Sequence, residues 1–87
     1  MDETCVDVVQ ALRVFNLVLS QGVRQGDEYS WQGLTASSDF DGYNVCLQDA
    51  LVRLDIHFHS SFHLNSPSRR ALTLFVSQLQ ALDAQYH

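Results

Sequence analysis

Between Glu3 and Gln21, Cys5, Val8, Leu12, Phe15 and Leu19 recur at three- and four-residue steps, which predicts an amphipathic helix. Asp2 and Glu3 suit the positive end of its dipole. Thr4, with Asp7 three positions on, makes a weak capping box. Gly22 is expected to end the helix in the left-handed conformation. Val6, Val14 and Leu17 fall off the main stripe and form a second apolar strip, which a helix covered on one side alone would not need.

The middle of the chain changes period. Gln25-Gly26-Asp27 marks a turn. Tyr29 to Leu34 then reads as a strand, with Gly33 as a weak point or bulge. Ser37 to Gly42 is turn chemistry. Tyr43 to Gln48 alternates, with Tyr43, Val45 and Leu47 on one face and Asn44, Cys46 and Gln48 on the other. Leu51 to His59 alternates most clearly. Val52, Leu54, Ile56 and Phe58 point one way; Arg53, Asp55, His57 and His59 point the other. That pattern belongs to a sheet covered on one face and wet on the other. Ser60 to Leu64 either turns back as a short fourth strand or stays irregular. A three-residue loop would set His63 opposite His59 and Leu64 opposite Phe58.

A last helix opens at Ser66 as N-cap with Pro67 at the first helical position. Ala71, Leu72, Phe75, Val76, Leu79, Leu82 and Tyr86 share its apolar stripe. The order predicts one α+β domain over residues 1–87: a two-layer sandwich, α-β-β-β(-β)-α, its antiparallel meander sheet carrying both helices on one face.

Composition narrows the class. Of the 87 residues, 46% are apolar and 17% charged, which suits a single globular core. Ten acids against five bases give a net charge of −5, and every base is arginine. No basic cluster grips a phosphate backbone, so no nucleic-acid partner is expected. No apolar run approaches the roughly 20 residues that cross a bilayer, so no membrane role is expected either. The acidic start, Met1-Asp2-Glu3-Thr4, is unlike a secretory signal, so the expected location is cytoplasmic, with Cys5 and Cys46 as reduced thiols.

Candidate chemistry is sparse. His57, His59 and His63 are the only constellation with metal-ligand character, a facial set for zinc with Asp55 beside it. Solvated residues on the wet face of a strand give the same pattern without any ion. Asp39-Phe40-Asp41-Gly42 shares part of a calcium loop, but the twelfth position counted from Asp39 is Ala50, where that loop needs Glu. Cys46 shares its face with the histidines, but no oxyanion loop accompanies it. Without lysine, Schiff-base chemistry is excluded. Arg69 and Arg70 beside Ser66 and Ser68 form the one basic spot with donors. Phe40, between two aspartates, is either folded back or offered to a partner.

The stretch Gly33-Leu34-Thr35-Ala36-Ser37-Ser38-Asp39-Phe40-Asp41-Gly42-Tyr43, followed by Phe58-His59 and Phe62-His63, resembles a family of small uncharacterised gammaproteobacterial proteins, a domain of unknown function. The resemblance runs over most of the chain. It implies a bacterial cytosolic setting and carries over no catalytic role.

The expectation is a non-enzymatic protein-interaction module without a cofactor that self-associates as a homodimer, with Val6, Val14, Leu17 and Phe40 at the interface. The alternative is a small-molecule or metal-binding protein on the polar sheet face, with Arg53, Asp55 and Cys46 holding a ligand and His57, His59 and His63 holding zinc.

Overall fold

The structure, a computed structural model, describes residues 7–39, 44–57 and 62–86. Helix α1 spans Val8–Gln21. Its N-cap is Asp7, whose Oδ1 accepts from the Val9 and Gln10 amides at 3.0 and 3.2 Å. The expected cap at Thr4, like Cys5 and Val6, lies outside the described residues.

Gly22 ends α1 as expected but for a different reason. Its φ and ψ are −87° and 177°, extended rather than left-handed. A Cβ there would sit 2.5 Å from the Val18 carbonyl oxygen and 2.7 Å from that of Ser30. Glycine is required by the close passage of two backbones, not by helix-cap geometry.

Six strands follow: β1 (Val23–Gln25), β2 (Glu28–Trp31), β3 (Leu34–Ser38), β4 (Asn44–Gln48), β5 (Arg53–His57) and β6 (Phe62–Asn65). They form one antiparallel sheet in chain order. The expected meander holds, with more strands than the pattern showed. The predicted strand Tyr29–Leu34 is really a hairpin. Trp31 pairs with Leu34 across Gln32-Gly33, whose φ values are +54° and +79°, as a type I′ turn requires. Gly26, with φ +65°, opens the β1–β2 turn in the position a type II′ turn gives to glycine.

Helix α2 spans Arg69–Tyr86. Its cap is Ser68, not Ser66: Ser68 Oγ accepts from the Ala71 amide at 3.1 Å, and the Ser68 carbonyl accepts from Leu72. Pro67 therefore precedes the cap. Ser66 instead donates its hydroxyl to the Ser68 carbonyl at 2.7 Å.

Both helices cover one sheet face. Ala11, Val14, Phe15 and Val18 of α1 and Ala71, Phe75, Leu79 and Leu82 of α2 meet Leu34, Ala36, Leu47, Val52, Leu54 and Ile56 in one core. Val14 is fully buried there, so it offers nothing to a partner and leaves the proposed interface. The physical reason is that α1 packs against α2 as well as against β2 and β3. It buries a wider arc than one stripe, and the second strip is partly core. Val9 and Leu12, by contrast, face outward. Trp31 and Tyr86 meet edge to face, ring centroids 5.3 Å apart, and close the end of the sandwich.

Candidate functional site

Among the described residues no helix lies on the other sheet face, and its side chains follow from strand pairing. One row runs across all six strands: Gln25, Glu28, Ser37, Cys46, Asp55 and His63. Beside it, Gln48 pairs with Arg53, and Arg53 with Asn65. His63 therefore lies opposite Asp55 and Leu64 opposite Leu54. The expected pairing of His63 with His59 is four residues out. The faces are nevertheless right, because a slip by an even number of residues preserves alternation.

Three predicted ligand-binding residues do come together. Arg53 Nε reaches both carboxylate oxygens of Asp55, at 3.1 and 3.2 Å. Cys46 lies opposite Asp55 and is buried although it belongs to the outer face. Burial pushes its thiol above the ordinary value of 9.0, partly offset by the positive charge of Arg53. A protonated thiol is a poor nucleophile and a poor metal ligand. Ser37, Cys46, Arg53, Asp55 and Asn44 border an open recess of about 230 Å³. Its arginine and aspartate are already engaged with each other, and so are neutral as a pair towards a charged ligand.

Asn44 Nδ2 donates to Asp39 Oδ2 at 2.7 Å, which leaves Asn44 Oδ1 facing His57 Nδ1 at 2.7 Å. His57 Nδ1 is then the donor. This network closes the neck of the β3–β4 connection, where the Asp39 amide also donates to the Asn44 carbonyl. His57 and His63 lie on the same face but not directly opposite. His59 lies outside the described residues. Among the described residues, no group of three or more histidines, cysteines or acids is placed to hold a metal.

Of the predicted interface, Leu17 is half-buried, and Val6 and Phe40 lie outside the described residues. Leu17 borders a recess of about 210 Å³ with Arg13, Asn16, Asp83 and Tyr86. This recess holds the main feature the pattern missed. Asp83 is buried on the apolar stripe of α2. Arg13 Nε and one terminal nitrogen grip its two oxygens, each at 2.8 Å, and Gln10 Nε2 donates at 3.1 Å. The hydrogen bond to Asp83 holds Arg13 firmly protonated. The available signal was an acid four residues after Leu79 and three before Tyr86, on a stripe otherwise apolar.

Among the described residues the sheet ends in two open edges. β1 is three residues long and carries Arg24. β6 is Phe62-His63-Leu64-Asn65, has no formal charge, and exposes Phe62 by 40%.

Among the described residues no helix is long and apolar enough to cross a membrane. A family model described as "Protein of unknown function (DUF3081)" matches residues 6–87. Comparison with curated proteins and with solved structures gives no match.

Proposed function

The chain belongs to the DUF3081 family of unknown function, and from that premise we propose that it is a non-enzymatic protein-interaction module that associates with copies of itself through a sheet edge. The observation that carries this reading is β6. Among the described residues no strand pairs with its outward backbone N–H and C=O groups, and the strand has none of the devices that usually blunt an edge. It has no lysine, no proline and no inward charge, and its aromatic side chain stands in water. Strand addition at such an edge takes its affinity from backbone hydrogen bonds and its selectivity from alternate side chains.

The rest of the molecule is consistent with a binding role. The outer-face arginine and aspartate pair with each other, and the buried thiol is held protonated. The bacterial cytosolic setting that the family resemblance implies goes with this reading, since a reducing compartment keeps Cys46 free.

Sedimentation velocity over a wide concentration range tests the proposal. A mass that rises with concentration in the wild type and stays monomeric in Phe62→Lys supports it. A monomer at every concentration removes it.

A further inference from the structure

The open edge also dictates how two copies would meet. We infer that the partner at β6 is a second copy of this chain, paired antiparallel about a two-fold axis through His63, with Phe62 opposite the partner's Leu64. This rests on the reading of β6 as the interaction edge and adds its occupant and register.

Two antiparallel strands related by a two-fold axis normal to the sheet pair residues whose numbers share a constant sum. Only an even sum keeps each apolar side chain on the same face as its opposite number. In β6, Phe62 and Leu64 belong to the inner face with Ile56 and Leu54, and His63 and Asn65 to the outer face with Asp55 and Arg53. Two even sums keep three pairs within the strand. One centres on His63 and sets Phe62 against Leu64 twice. The other centres on Leu64 and leaves Phe62, the most exposed apolar residue of the edge, opposite position 66. The first covers more apolar surface and is selected on that ground.

Charge discriminates between the two edges. A symmetric pair at β1, three residues long, centres on Arg24 and sets two guanidinium groups opposite each other, which is destabilising. At β6 the central row becomes Asp55, His63, His63, Asp55 across the two copies, so each imidazole has a carboxylate on its other side. For a chain of net charge −5, the uncharged edge is also where two copies approach with least repulsion. A β6-to-β1 contact is head to tail and runs on into a filament, whereas β6 to β6 closes at two. A strand pair this short covers less than the roughly 800 Å² per partner of a standard interface, so the association is weak and concentration-dependent.

The test is cross-linking of the full chain in a Cys5→Ser background, with buried Cys46 left in place and the background protein as control. His63→Cys places two thiols on directly opposed residues, whose Cα atoms are roughly 4.5–5.5 Å apart in an antiparallel pair, within disulfide reach. Asn65→Cys separates its thiols by four residue steps, roughly 13 Å. Mild oxidation should give covalent dimer from His63→Cys and none from Asn65→Cys or the background. Phe62→Lys added to His63→Cys should weaken association about ten- to a hundredfold. Cross-linking of His63→Cys with Asn65→Cys chains, rather than each with itself, would give the other register and overturn this one. Reversible dimers in sedimentation without cross-linking of His63→Cys would overturn the register alone. Monomers throughout would overturn the functional reading as well.

Discussion

Ala36, Leu47 and Leu54 lie side by side on β3, β4 and β5, and each is fully buried. One pleat away, on the opposite face, Ser37, Cys46 and Asp55 lie side by side on the same three strands and meet hydroxyl, thiol and carboxylate chemistry. The inner row is covered by two helices; among the described residues no helix lies over the outer row. The contrast teaches that the strands are written for two solvents at once. The inner set fixes which way the sheet faces, and the outer set is free to vary without moving the fold. Cys46 is the exception that sharpens the rule. It is buried on the outer face, between Ser37 and Asp55 of the two neighbouring strands.

The contrast breaks most visibly at Leu54. Leu54→Ala removes a fully buried side chain from the middle of the inner face. It should cost about 2–5 kcal/mol in urea unfolding. Gly22→Ala comes next, since its Cβ would meet two backbone oxygens that cannot swing away. A loss of about 1–3 kcal/mol is expected in the same assay.

On the outer face, Asp55→Asn should change stability by no more than about 1 kcal/mol, because its partner Arg53 is 55% exposed and solvated. The same change should make the Cys46 thiol easier to ionise, because the Asp55 charge helps to hold its proton. In a Cys5→Ser background, the thiol should then react faster with a disulfide reagent at pH 8.

The smallest effect concerns pH. Burial raises the Cys46 pKa in the folded state, so the folded chain keeps this proton after the unfolded chain has released it. The contribution to stability is complete below pH 9.0 and is lost as pH rises through the raised value. Unfolding midpoints measured between pH 8 and 10 should therefore fall more for the wild type than for Cys46→Ala.

Period-two alternation made β4 and β5 legible, because each is long enough to show its two faces. It did not reveal the hairpin at Gln32-Gly33. There a glycine read as a strand defect is a turn, and its partner is a glutamine in the left-handed region. The β1–β2 hairpin was hidden by length, since three residues cannot display a period. In α1, apolar residues on several sides made the stripe ambiguous, and burial by α2 chose Ala11, Val14 and Val18 over Leu12. The Arg13–Asp83 clamp depends on which helix faces meet, which neither helix states alone. Of the candidate site residues, Arg53, Asp55 and Cys46 were brought together as the alternation implied. The open edge at β6 emerged only from the sheet order.

Backbone amide shifts of the labelled full chain, followed by NMR on serial dilution, test most directly whether β6 is where the molecule meets its own kind. The account predicts concentration-dependent shifts confined to the Phe62–Asn65 strand and its neighbour β5, with β1 unmoved. Shifts at Val23–Gln25 or along the exposed Val9 and Leu12 side of α1, or none at any concentration, would contradict it.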